Sequence, residues 1–162
     1  MKNLFALLIC LSIVSLSIAQ NSCINHFVDK YSGLEDATHL NISGNLLSFM
    51  KDDNDLRTTL TSLEVLSLKE PQVRATDIQT LHQGIISNNY EELIRVRDGK
   101  DLIHVFLTEK KSGVIDQLIV LVEGSESFTL LSLSGEIHYD DLKEMNFDGD
   151  TGLTLSKLPP RA

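Results

Sequence analysis

Five histidines stand at positions 26, 39, 82, 104 and 138, and each could ligate a metal or move a proton near neutral pH. No two of them have HxxxH or HExxH spacing, so none is paired with another on one helical face for a metal. His104 is the most interesting, because it alternates with Leu102 and Phe106 in an expected strand beside Arg95. It could be a ligand or a base, although a partly covered sheet residue is the simpler expectation. His138, Asp140, Asp141 and Glu144 cluster near a closing helix, with Asp141 and Glu144 at i, i+3, as an oxygen-rich cation site would need. Acids in a first helical turn also serve the macrodipole, which is the commoner reason for them. "KDDND" and "NFDGDTG" invite a calcium reading that fails on position. The sixth and twelfth residues should be Gly and Glu, but they are Arg57 and Leu63 from Asp52, and Thr151 and Lys157 from Asn146. There is no Gly-x-Ser-x-Gly, P-loop or dinucleotide fingerprint. The expectation is therefore no catalytic residue, no metal and no cofactor.

Arg95 and Arg97, with Lys100 beyond a turn, are the concentrated positive charge on a regular element. They could grip a carboxylate or another anion, so Arg95, Arg97 and His104 are the candidate binding residues. The alternative is a solvated sheet face whose charges pair across strands.

Several elements must position these groups. "NSCINHFVDKYSGL" places Cys23, Ile24, Phe27, Val28 and Tyr31 on one helical stripe, with Gly33 where a C-terminal cap would sit. "THLNISGNLLSFM" predicts a strand through Ile42, then a helix capped by Ser43. A short helix through Leu56 and Leu60 precedes a largely buried strand around Leu63, Val65 and Leu68. "ATDIQTLHQGIISNNY" predicts a helix capped by Thr76 or Asp77, with Ile78, Leu81 and Ile85 inward and Gly84 weakening it by about 1 kcal/mol.

From Glu91 the period becomes two. "LIRVRDGKDLIHVFLTE" predicts a hairpin with a type I′ turn at Asp98-Gly99, setting Ile94 opposite Ile103. Ile94, Ile103, Val105 and Leu107 then share one face; Arg95, Leu102, His104 and Phe106 share the other. Two more strands follow around Gly124, with Leu118 to Val122 apolar on both faces, and after Gly135 a short closing helix. The expectation is one α+β domain: a mainly antiparallel sheet of four to six strands with helices packed on one face.

Lys2, the apolar stretch Leu4 to Val14 and the small residues Ser17 and Ala19 have the anatomy of a secretory signal peptide. That stretch is shorter than the roughly 18–20 residues needed to span hydrocarbon. Gln20 is wrong for a lipoprotein cleavage site before Cys23, so residues 1–19 are expected to be cut off and 20–162 released to the periplasm or exterior. The mature chain would keep Cys23 as its lone thiol, expected as a small buried residue on a helix. The full chain carries 14 basic and 23 acidic side chains, a net charge of −9, which disfavours nucleic acid and anionic membrane as partners.

"YSGLEDATHLNISGNLLSFM", "LTSLEVLSL", "YEELIRVRDGKD" and "IDQLIVLVEGSESFTLLSLSGEIHYDDLKEM" appear in order. Together they resemble the small exported proteins of the Bacteroidota catalogued as domain of unknown function 4252. That resemblance implies export and an α+β domain, and brings no activity or ligand. The function expected is an exported, non-catalytic binding module of the periplasm or cell envelope, its partner an envelope protein or a small anion. The alternatives are a small metal-dependent or hydrolytic enzyme using His104 or His138 and Asp141, and a structural envelope component. Both the binding and structural readings expect the polar side chains to be scattered rather than gathered at one site.

Overall fold

The structure, a computed structural model, describes residues 22–44, 57–69 and 72–142. The signal segment, the helix expected after Ser43, "KDDND" and "NFDGDTG" lie outside these residues. In chain order the elements are α1 (Ser22–Tyr31), β1 (Thr38–Ser43), β2 (Thr59–Lys69), α2 (Ala75–Ser87), β3 (Glu91–Asp98), β4 (Asp101–Lys111), β5 (Val114–Glu123), β6 (Ser127–His138) and α3 (Tyr139–Leu142). The six strands form one sheet in the order β1-β2-β6-β5-β4-β3, antiparallel at every pairing. It is an α+β domain with a sheet-dominated core.

Side chains alternate across the sheet, so each central strand feeds two cores. On one face Phe106, Ile119, Leu121, Phe128, Leu130, Leu66 and Leu68 pack under Ile24, Phe27, Val28 and Tyr31 of α1 and Leu81 and Ile85 of α2. On the other, Val105, Leu107, Leu118 and Leu133 join Ile115, Ile137, Tyr139 and Leu142. This two-sided burial is why β5 is apolar without alternation.

Close backbone approach demands glycine at two places. At Gly84 a β-carbon would lie 2.6 Å from Cys23 Cβ, so glycine lets α2 seat against α1. At Gly135, φ is +151 and a β-carbon would lie 2.1 Å from the Thr59 carbonyl oxygen, beside the bulge that shifts the β2–β6 register.

Several expectations are corrected. Leu60 belongs to β2, not to a helix. The N-cap of α2 is Arg74, without a side-chain cap bond; Thr76 and Asp77 lie inside the first turn. Gly33 lacks the left-handed φ of a capping glycine. Gly135 lies within β6, which runs on to His138 before α3 begins. The β3–β4 turn is Gly99-Lys100, and Val96, not Ile94, faces Ile103. Gly99 has φ +60 while Lys100 does not take positive φ, as in a II′-like turn rather than I′. The slip is two residues in pairing, so the predicted faces survive it.

Candidate functional site

The helix-covered face of β3–β5 ends in a polar cluster under α2. His104 on β4 continues the row of Phe106, whose ring lies parallel to its own with centroids 5.8 Å apart. His82 lies four residues after Ile78 and three before Ile85, on the inward stripe of α2. It meets His104 edge-on with centroids 4.5 Å apart. Glu123 closes β5, where its strand pairs Glu123 with Leu102. Its Oε1 lies 2.8 Å from His82 Nε2 and 3.8 Å from His104 Nε2. One potential ligand atom from each of His82, His104 and Glu123 lies within 4.8 Å of the others.

A β-bulge completes the surroundings. Strict alternation would put Glu92 and Arg95 on opposite faces, but the register shifts between Glu92 and Ile94. Leu93 and Ile94 both join the far core, and Glu92 and Arg95 come to the same side as His104. Glu92 Oε1 lies 2.7 Å from His104 Nδ1. Arg95 donates to both oxygens of Glu92, from Nε and from Nη2, at 2.9 Å each. Burial opposes the charge of Glu92, but the bonds from Arg95 and His104 outweigh it and hold the carboxyl below its usual range. The hydrogen bond from His82 likewise holds Glu123 below the usual value against partial burial.

An ionised carboxylate accepts only, so Nδ1 of His104 carries the proton in its bond to Glu92. In the neutral ring that leaves Nε2 as a bare lone pair. It is buried and without a hydrogen-bond partner, on a residue only 3% exposed. Such an orphan costs about 1–3 kcal/mol and calls for an explanation.

The expected binding residues therefore separate. His104 is the centre of the cluster. Arg95 is paired with Glu92, which takes two of its donors. Arg97 is exposed and lines a neighbouring cavity of about 360 Å³ with Lys100, Leu102, Glu123 and Phe128. The remaining histidines lie elsewhere: His26 lines a groove between α1 and α2, His39 pairs with Glu64 at 3.1 Å, and His138 ends β6. Asp141 does not face a cation site with His138. It accepts from the backbone and hydroxyl of Thr58, at 2.8 and 2.7 Å. Cys23 is half-buried rather than buried, and burial raises its thiol pKa. The expectation of scattered histidines thus fails for His82 and His104. Glu92 and Glu123 escaped sequence reasoning altogether, and so did His82 as a site residue, although it lies on a stripe already read as inward.

The model of the family described as Domain of unknown function (DUF4252) matches residues 31–145. The chain belongs to this family. No curated protein and no solved structure matches it. Within the DUF4252 match lie His82, Glu92, Arg95, His104 and Glu123, so the whole cluster belongs to the family domain. Among the described residues no helix is long and apolar enough to cross a membrane.

Proposed function

We propose that this DUF4252 protein is an exported binding module of the periplasm or cell envelope, released after Ala19, that holds a small anionic ligand at the seam between α2 and β3–β5 without transforming it. One observation carries the reading: Arg97 and Lys100 line a cavity of about 360 Å³ that reaches the polar cluster through Glu123. Arg97 and Lys100 at the cavity supply positive charge on a chain whose net charge is −9, and so favour an anionic group there. Both acids at the centre already hold histidines, so neither carboxylate is free to serve as a base itself.

The test has two parts. Intact mass of the protein recovered from the producing cell should show a chain beginning at Gln20; recovery only as the Met1 form would refute export. A thermal-shift screen of small carboxylates and phosphate should find ligands that raise the midpoint of the wild type but not of Arg97→Ala/Lys100→Ala. Equal shifts in both proteins, or none in either, would refute the binding site.

The convergence of two histidines and a carboxylate favours a second reading, a metal-dependent hydrolase. It requires hydrolysis of chromogenic esters or phosphodiesters in the presence of Zn²⁺ above the rate of a His104→Ala variant.

A further inference from the structure

We propose that His82, His104 and Glu123 bind one divalent transition-metal ion, best matched by Zn²⁺, with Glu92 and Arg95 as the outer support of the centre. The inference deepens the binding-module reading and rests on it for the site's location.

The donor set comes first. Two imidazoles and one carboxylate suit Zn²⁺, and leave one position of a tetrahedral ion for water or an outside ligand. Hard ions such as Ca²⁺ and Mg²⁺ prefer all-oxygen shells and are poorly served here. Distances agree. Bonds of about 2.0–2.2 Å to a tetrahedral ion put donor atoms about 3.3–3.6 Å apart. The observed separations of 2.8 and 3.8 Å to Glu123 Oε1 bracket that range, and all three donor atoms lie within 4.8 Å of one another, so side-chain movements draw them to it.

The second observation is independent of spacing. The Nδ1 of His104 binds the Glu92 carboxylate at 2.7 Å, an arrangement that fixes the tautomer and makes Nε2 the better ligand. Arg95 grips both oxygens of Glu92 and so prevents the carboxylate from turning. The imidazole thus supported offers a lone pair that no protein donor meets. On the opposite side, the short contact between His82 Nε2 and Glu123 holds a proton where an ion would sit. Metal binding replaces that proton, which moves to Nδ1 of His82 or to solvent. The side chains of His82 and Glu123 are 18% and 28% exposed, so an ion can enter from their side.

Isothermal titration of the metal-stripped full chain with ZnCl₂ should show one ion per chain, and Mg²⁺ and Ca²⁺ should give no comparable heat. His82→Ala and Glu123→Ala, both at partly exposed positions, should each weaken Zn²⁺ binding at least a hundredfold while circular dichroism shows the native sheet. Glu92→Gln keeps all three ligands and should weaken binding about 10–100-fold. His39→Ala, on the far edge strand, should bind as the wild type does. The Co²⁺ form should show the intense visible absorption of a four-coordinate ion, and lose it in Glu123→Ala. Absence of one-to-one Zn²⁺ binding by the wild type, or its survival in both His82→Ala and Glu123→Ala, overturns the proposal. If Zn²⁺ fails while anions still raise the midpoint through Arg97 and Lys100, the metal is lost and the binding module stands.

Discussion

Replacing Asp141 should unfasten the join between α3, the end of β6 and the start of β2. Its Oδ2 accepts from Thr58 N at 2.8 Å and Thr58 Oγ1 at 2.7 Å, and that hydroxyl accepts in turn from His138 N at 2.9 Å. Thr58 is 3% exposed and Asp141 7%, so water is poorly placed to replace either bond. A hydrogen bond to a charged group contributes about 1.5–3 kcal/mol. The two share one oxygen and one partner residue, so their sum overstates the loss. Asp141→Ala also leaves the Thr58 N–H buried without its acceptor. The expected destabilisation is about 2–4 kcal/mol, against about 1–2 kcal/mol for Asp141→Asn, which keeps an acceptor oxygen but loses the charge. Urea unfolding is the assay. With an m-value of about 1–3 kcal/mol/M, a loss near 3 kcal/mol lowers the midpoint by about 1–3 M. The reasoning fails if Asp141→Ala unfolds within about 0.5 kcal/mol of wild type at an unchanged m-value, the range of an ordinary surface substitution. A solvated metal-ligand role for Asp141 predicts that small effect.

Gly84→Ala should lower the thermal midpoint although alanine favours a helix by about 1 kcal/mol, because the new β-carbon meets Cys23 Cβ at 2.6 Å; a raised midpoint would show that α1 can yield. Tyr90→Phe should cost about 1–3 kcal/mol in urea unfolding, since the Tyr90 hydroxyl donates to buried Gln117, which in turn donates to Ser132 at 3.1 Å; an unchanged midpoint would refute the chain. Asp77 is held below its usual pKa by hydrogen bonds from Lys30 and then Tyr31, so its contribution is present above about pH 4 and lost as pH falls through its lowered folded value. The midpoint gap between wild type and Asp77→Asn should therefore be open at pH 7 and narrow at pH 2 to 3, and a gap that widens in acid would contradict the sign.

The strands were legible because burial repeats with period two. In β4, Val105 and Leu107 face one core while His104 and Phe106 face the other, and that parity holds even where the pairing slips by two. Helix α2 was legible because Leu81 and Ile85 are buried on one stripe. What sequence could not show was convergence. His82, His104 and Glu123 come from three different elements and meet only when the crossover from β2 to β3 lays α2 over the sheet. The signals were partial: His82 shares the inward stripe with Ile78 and Ile85, and a β4–β5 hairpin places Glu123 beside Leu102, two residues from His104. Glu92 had no such signal, because the bulge that turns it toward His104 leaves no mark in apolar alternation beyond the adjacent pair Leu93 and Ile94. Asp141 misled for a related reason. Acids opening a short helix look alike whether they serve the dipole, a cation or, as here, a buried threonine.

The charge of the cluster ties metal binding to anion binding. With both imidazoles neutral, Glu92, Arg95 and Glu123 leave one net negative charge where solvent is partly excluded. An empty centre of that sign repels an anion, and among the described residues lining the cavity Arg97 and Lys100 oppose the repulsion. A divalent ion reverses the sign of the centre, and Glu123, which the cavity shares with it, no longer adds uncompensated negative charge there. Burial strengthens such an interaction relative to one in open water. Metal loading and anion capture should then be coupled, each raising the affinity for the other by the same factor. A module built this way would hold its anion more tightly in the metal-loaded state than in the metal-free one.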